Sequence, residues 1–236
     1  SHVKGHAVQM DKYELNAVAK GVLGPLVIAA AMFWAAGTIH WPWGWAMHGV
    51  HLAMWLVNTV AVAVLDRELL AERGKRRADT QPWDKVLLGL FGLVWLLELT
   101  LAALDVRHGW TTSFPLLLRV LGAVLVVLGF LLITWAMVAN RHFEPGVRIQ
   151  RDREHSVVSS GPYRFVRHPG YTGTIMAYFI GMPCMLGSHA GLVAAAVGIM
   201  ILIVRTAKED AFLRRELAGY VSYAARVRYR LLPFIY

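Results

Sequence analysis

Six apolar stretches set the limits on what this chain can become. They run over 21–39, 45–65, 86–104, 116–139, 171–187 and 190–204 of its 236 residues. A membrane-crossing helix needs about 20 mainly apolar residues to span a hydrocarbon core of roughly 30 Å. The first four stretches meet that length. The last two are shorter, and only Gly187, Ser188, His189 and Ala190 separate them, so they read as a tight helical hairpin. Charged residues make up 17% of the chain and hydrophobic residues 57%, against about a quarter and about half in an average soluble domain. That balance argues against a soluble globular protein and excludes disorder. The expected fold class is an all-α integral membrane protein with about six transmembrane helices. The stretch 22–39 is not read as a cleavable signal peptide, because more spans follow and no small-residue cleavage pattern is evident. Ser1 and His2 read as a non-native extension and carry no argument.

The formal charge is +9, with a pI near 10.0. In a soluble protein this would suggest nucleic acid; here the placement of the charges decides. Lys4, Lys12 and Lys20 precede the first span. Arg67, Arg73, Lys75, Arg76, Arg77 and Lys85 lie in the 66–85 connection. Arg141, Arg148, Arg151, Arg153, Arg164 and Arg167 lie in 140–170. Arg205, Lys208, Arg214, Arg215, Arg226, Arg228 and Arg230 lie in the tail. Together these are 22 of the 24 basic residues. The opposite connections, 40–44, 105–115 and 187–190, hold only Arg107, and Arg119 starts the fourth span. The asymmetry fits the positive-inside rule with both termini in the cytosol and no nucleic-acid partner. Trp41, Trp43, Trp45 and Trp110 then fall at the far interface, where amphipathic rings are favoured.

Ionisable groups inside a span are expensive and are functional candidates by default. Glu98 sits in the third span, and its sequence leaves three readings open: a structural acid, a protonated one, or the lining of a substrate cavity. His48, His51 and Asn58 lie in the second span, with His51 and Asn58 on one helix face. For the two histidines, interhelical hydrogen bonds are the favoured reading, since no further ligands complete a metal shell. The single cysteine, Cys184, excludes an internal disulfide and any multi-cysteine metal site, and reads as a small buried hydrophobe. No metal is expected.

Two polar stretches carry chemistry. The first is the loop of roughly thirty residues from Asn140 to Tyr171. It is too rich in Val, Tyr, Phe and Pro for disorder and is punctuated by Gly161-Pro162 and Pro169-Gly170. Its Arg, His and Tyr residues suit an anionic or carboxylate-bearing ligand with an aromatic ring; an interfacial anchor to phospholipid is the plainer alternative. The second is Arg205-Thr-Ala-Lys-Glu209 after the last span, where a spacing of four lets Arg205 and Glu209 share a helix face and pair. The tail beyond interleaves basic and aromatic residues, as expected of a segment lying on an anionic leaflet.

Gly161-Pro-Tyr163, Arg167-His-Pro-Gly-Tyr171, Arg205-x-x-x-Glu209, Gly219-Tyr-x-x-Tyr223 and a terminal Leu231-x-Pro233 follow one another in this order. The set resembles the isoprenylcysteine carboxyl methyltransferase family, which is grouped with membrane phospholipid methyltransferases. The resemblance covers about 140–236 and does not extend to the first three spans. It implies S-adenosyl-L-methionine in a cytosol-facing pocket built from loop, hairpin and tail. Cofactor contacts are implied at Gln150, His155, Ser156, Val157, Val158, Tyr163, His168, Pro169, Gly170, Tyr171 and Glu209. Glu209 is similar to the acid that meets the cofactor's amino group, and Arg205 to the arginine that orients the acceptor's carboxylate. The acceptor implied is lipophilic, of isoprenylcysteine type, and enters from the bilayer. The Gln150–His155 spacing is shorter than in eukaryotic members, which loosens the assignment of Gln150, and Gly170 replaces a small polar residue at no expected cost. For an amine or thiol acceptor a base would be needed, with Glu98 or His51 as candidates. The chain is thus divided into an N-terminal segment 1–20, four spans over 21–139, and a methyltransferase core over 140–236 with its hairpin at 171–204. The enzyme alternative is an NADPH-dependent membrane reductase of sterol or steroid type. The non-enzyme alternative is a scaffold or transporter that keeps the fold.

Overall fold

The computed structural model describes residues 12–66, 68–69 and 79–236. Lys4, Arg67, Arg73, Lys75, Arg76 and Arg77 of the basic count lie outside the described residues, as do the side chains of Lys12 and Lys20. Regular structure among the described residues is helical. Helices α1 (Lys12–Ala36), α2 (Pro42–Leu65), α3 (Pro82–His108) and α4 (Leu116–Ala139) come first. Two single 3-10 turns follow, Arg151–Arg153 and Gly161–Arg164. Then come α5 (Pro169–Thr174), a π-helical stretch Ile175–Gly181, α6 (Met182–Leu186), α7 (His189–Glu216) and α8 (Tyr220–Arg226).

The boundaries follow from residue chemistry. Pro42, Pro82 and Pro169 each occupy the first helical position, where a missing N–H costs nothing. Helix α3 ends at Gly109 (φ 64°) and α6 at Gly187 (φ 69°), left-handed positions that favour glycine. Ser188 caps α7 by accepting the Gly191 N–H at 3.0 Å.

Helices α2, α3, α4 and α7 are long and apolar enough to cross a membrane; the apolar part of α1, Gly21–Ala36, is shorter. Leu23, Val60, Leu93, Leu117, Val193 and Met200 are exposed around them, an apolar girdle suited to lipid rather than water. The first arm of the expected hairpin is the composite run from Pro169 to Leu186. Its second arm does not stop at 204 but continues as helix to Glu216. Apolarity marks membrane depth, and Arg205–Glu216 is polar yet rich in good helix formers. The tail, read as one amphipathic segment, forms only the short α8 and then turns. Trp45 and Trp110 are exposed as an interfacial belt requires, but Trp41 is buried edge-on against Phe33 at 5.9 Å.

Helix α3 packs along α7, and polar contacts fix both ends of the pair. At one end Asp84 holds Arg205, with Nε to Oδ1 at 2.7 Å. At the other the Ser188 hydroxyl donates to Asp105 Oδ2 at 2.6 Å, and Asp105 also takes the Thr111 N–H and hydroxyl. Helix α4 packs on the 169–186 run through glycines. A Cβ on Gly129 would lie 2.6 Å from the Gly173 carbonyl oxygen, and one on Gly122 would lie 2.5 Å from the Met185 nitrogen. Such close backbone contact is what small residues provide where lipid removes the hydrophobic drive between helices.

The intramembrane polar residues divide. Asn58 donates to Thr134 Oγ1 at 2.9 Å and so makes the interhelical bond. The expected bond at His48 is absent among the described residues: its Nε2 is buried without a partner. The His51 ring packs among Trp95, Phe130 and Tyr178.

Candidate functional site

The segment between α4 and α5 folds over the polar ends of α4 and α7 and leaves an open cleft between them. The wall combines apolar side chains (Phe143, Val157, Val158, Leu213, Leu217), aromatic rings (Tyr163, Tyr220, Tyr223) and a polar face (His155, His168, Tyr171, Glu209). A 3-10 turn begins at Gly161 (φ 57°), where a Cβ would fall 2.9 Å from that of Ala139. This close turn brings Tyr163 inward. Its hydroxyl accepts from Asn140 Nδ2 at 3.2 Å, and its carbonyl takes the Tyr223 hydroxyl at 2.8 Å. Burial holds the Tyr163 and Tyr223 hydroxyls above their usual range, so both remain neutral donors.

Asp210 fastens the three parts of the site together. Its carboxylate accepts from Arg167 Nε at 2.6 Å and Nη2 at 3.2 Å, from the Tyr220 hydroxyl at 3.0 Å and from Arg214 at 3.0 Å. Arg167 Nη1 donates to the carbonyls of Val227 and Arg228, both at 2.7 Å. The His168 N–H donates to the Arg230 carbonyl and the Thr172 hydroxyl to that of Leu231. Loop, α7 and tail are therefore locked before any ligand arrives. Removing one partner from so buried a pair costs far more than a surface ion pair is worth.

Arg205 and Glu209 share a helix face as their spacing requires, yet they do not pair. Arg205 is buried and satisfied by Asp84 and by the Pro145 carbonyl, which Nη2 meets closely. Asp84 wins because it is wholly buried at the start of α3 and anchored by the Val147 N–H at 2.8 Å. The Arg205 guanidinium carbon lies 5.0 Å from the centroid of the Tyr171 ring. The Tyr171 hydroxyl donates to Glu209 in a short hydrogen bond. Among the described residues Glu209 is in no ion pair. By contrast, the Arg148 guanidinium beside it in the cavity wall is held by Glu144, Asp152 and Asp79 at 2.7, 2.9 and 3.1 Å, which pushes its pKa up. The cavity's arginines are thus paired with acids, while Glu209 lines the cavity without an ion pair among the described residues.

Two histidines organise the loop as neutral acceptors. The Ser156 N–H donates to His142 Nε2 and the Gln150 N–H to His155 Nδ1, both at 3.4 Å, and the rings lie 4.6 Å apart. Burial lowers both, His155 to about 4; His142, Arg148 and Arg153 add to this at His155, whereas at His142 a hydrogen bond with Gln150 and the charge of Glu144 oppose burial and the charges of Arg153 and Arg141. A histidine depressed in the folded state contributes stability that is fully present above its unfolded value near 6.5 and is lost as pH falls toward the folded value. Amide hydrogen exchange at Gln150 and Ser156 is expected to gain protection factors on the order of tenfold lower at pH 5 than at pH 7. Equal protection at the two pH values would refute neutral histidine acceptors.

Of the residues expected to contact a cofactor, His155, Ser156, Val157, Val158, Tyr163, His168, Gly170, Tyr171 and Glu209 all line the cavity. Gln150 and Pro169 do not. The Gln150 side chain is buried, donating to the His142 carbonyl at 2.7 Å and accepting from Arg153, and Pro169 starts α5. Arg205 stands behind Tyr171 rather than in the cavity wall. Gly170 is closely fitted, since a Cβ would meet the Phe143 ring at 2.7 Å. Glu98 is buried with neither oxygen partnered among the described residues. It lies fourteen residues along α3 from Asp84, about 21 Å at ~1.5 Å per residue, and does not line the cavity. Sequence reading missed Asp84 and Asp210; Arg167, read with the loop's other arginines as suited to an anionic ligand, is taken by Asp210 instead. The usable signal was charge: a basic loop of this density needs buried counter-ions, and Asp210 directly follows Glu209.

Residues 117–218 match the phospholipid methyltransferase family. The chain is 30% identical over 123 residues to protein-S-isoprenylcysteine O-methyltransferase B of Arabidopsis thaliana, covering 51% of this chain and 59% of that one. It is 29% identical over 134 residues to the probable protein-S-isoprenylcysteine O-methyltransferase of Oryza sativa subsp. indica, covering 56% and 66%. With the Xenopus laevis protein-S-isoprenylcysteine O-methyltransferase it shares 31% over 153 residues, covering 59% and 51%. The matches therefore span less than two thirds of these relatives' own lengths. The solved structure of the eukaryotic intramembrane Ras methyltransferase, isoprenylcysteine carboxyl methyltransferase, has the same fold: TM-score 0.55 at 18% identity over 93% of this chain and 77% of that one. The resemblance drawn from the motifs holds in sequence and in fold.

Proposed function

We propose that this chain, a relative of the isoprenylcysteine O-methyltransferases, transfers a methyl group from S-adenosyl-L-methionine to a lipophilic carboxylate at the cytosolic face of a membrane. The observation that supports this reading best is the charge state of the cavity. Its arginines are matched by acids, and Glu209, hydrogen-bonded by the Tyr171 hydroxyl and in no ion pair among the described residues, lines the space as an acceptor for an ammonium group. The donor set fits the cofactor: a carboxylate for its amino group, and apolar and aromatic walls for its nucleoside.

S-adenosyl-L-methionine would bring a methyl group already activated on a sulfonium, so positioning and exclusion of water are the protein's main tasks. Val157, Val158, Leu213, Leu217 and the tyrosine rings exclude water. Tyr171 orients Glu209. Arg205, buried beyond the Tyr171 ring and outside the cavity wall, is the residue that would meet the acceptor's carboxylate, through Nη1, which no hydrogen bond among the described residues engages. A carboxylate needs no general base, so neither Glu98 nor His51 has to move a proton in this reading. The basic loops on the same side as the site favour a cytosolic face for it and for both termini, and in this reading the cofactor-binding core begins at residue 140.

Calorimetry of the detergent-solubilised protein with S-adenosylhomocysteine is expected to show saturable binding. A labelled methyl-donor assay on membrane lipid extracts with N-acetyl-S-prenylcysteine as added acceptor should give a base-labile methyl ester. Binding of NADPH without binding of S-adenosylhomocysteine would instead establish the reductase alternative.

A further inference from the structure

We propose that Asp84 is a positioning residue of this site: it fixes the Arg205 guanidinium so that a single edge, Nη1, is left to receive the acceptor's oxygen. The inference rests on the methyl-transfer reading and deepens it.

Asp84 lies at the start of α3, far in sequence from every motif of the site, and is wholly buried. Its two oxygens take Arg205 Nε at 2.7 Å and Nη2 at 3.2 Å, and Oδ2 also takes the Val147 N–H at 2.8 Å. Nη2 is shared with the Pro145 carbonyl. Nε and Nη2 are thus consumed, and no hydrogen bond among the described residues engages Nη1. A guanidinium recognises a carboxylate bidentately through two parallel N–H donors on one edge. Here Asp84 occupies the Nε–Nη2 edge, so an incoming carboxylate is limited to Nη1. That limit suits methyl transfer to oxygen. One acceptor oxygen is tethered, and the other keeps its lone pair unengaged for the methyl carbon.

The same contacts link helices. Asp84 joins α3 to the loop at Val147, Arg205 joins α3 to α7, and the Tyr171 ring carries the contact on to Glu209. The acid also offsets the positive potential Arg205 would otherwise present. A carboxylate acceptor, or the carboxylate-bearing part of a competing lipid, is therefore oriented without being trapped. A purely structural ion pair would hold helices together and nothing more. The two roles predict different kinetics.

The test uses the full chain in lipid nanodiscs with labelled S-adenosylmethionine and N-acetyl-S-prenylcysteine. Asp84→Asn keeps the shape and removes the charge. Its kcat is expected to fall about 100-fold with no rise in the acceptor KM, while affinity for S-adenosylhomocysteine stays within about threefold. In an Arg205→Ala background the same change should cost no more, because the two residues act as one unit. Asp84→Glu keeps the charge but displaces it, and should lower kcat about tenfold at unchanged cofactor affinity; it serves if the asparagine variant does not fold. An unchanged kcat in either variant would overturn the proposal. So would loss of kcat, cofactor affinity and thermal midpoint in parallel, or a loss that multiplies that of Arg205→Ala. Absence of S-adenosylhomocysteine binding to the wild type is a different failure, of the methyl-transfer reading itself, and it removes this inference too.

Discussion

Glu209→Gln is expected to weaken binding of S-adenosylhomocysteine by about 10- to 100-fold, the loss of one hydrogen bond between charged groups in a partly enclosed site. The substitution is nearly isosteric and leaves an amide oxygen to accept the Tyr171 hydroxyl, so the wall of the cavity survives. What disappears is the single carboxylate in the cavity wall that forms no ion pair among the described residues; Glu144, the other acid there, belongs to Arg148. Glu144→Gln therefore serves as the contrast. It disturbs an ion pair rather than a ligand contact, and it should shift the thermal midpoint more than the dissociation constant. Calorimetry on both variants separates the roles. Equal affinity of Glu209→Gln and wild type would remove the amino group from Glu209.

The positions of the motif residues were legible because they are locally constrained. Gly161-Pro162 opens a 3-10 turn and Pro169, expected in a turn, starts helix α5; both are set by the residues themselves, and the tyrosines and histidines beside them follow inward. The helices were legible from apolarity, which is set by the membrane. Two kinds of information were not local. Where α7 ends was hidden because polarity changes at Arg205 while helix propensity does not. Which acid takes Arg205 was hidden for a different reason. Glu209, at a spacing of four, was the natural partner by sequence, but Asp84 is delivered by the antiparallel packing of α3 on α7. Only the fold brings residues separated by 121 positions into contact. The same limit applied to Gln150. Its type suggested a ligand contact, whereas its side chain braces the loop from behind through the His142 carbonyl.

The largest effect on folding is expected from Gly129→Val. Helix α4 approaches the 169–186 run so closely that even a methyl group at 129 would sit 2.6 Å from the Gly173 carbonyl oxygen and 2.7 Å from the Ala177 nitrogen. These are backbone atoms and cannot rotate away. Gly129→Ala should already cost about 1–3 kcal/mol by overpacking, and the branched valine should abolish the monodisperse elution peak of the detergent-extracted protein. Gly92→Ala provides the control: a Cβ there meets nothing within 4 Å, and the helix gains about 0.5–1 kcal/mol from replacing glycine. The two glycines lie in consecutive apolar helices, so opposite outcomes would tie the effect to contact rather than to helix propensity. The consequence reaches the cavity. The run that Gly129 admits begins at Pro169, directly after His168, and carries Tyr171, so pushing it from α4 would move both rings off Glu209 and Asp210. A partly folded Gly129→Ala protein should therefore lose affinity for S-adenosylhomocysteine along with its thermal midpoint, whereas Gly92→Ala should keep both. Normal elution and binding by Gly129→Val would show that α4 and the hairpin do not pack through their glycines.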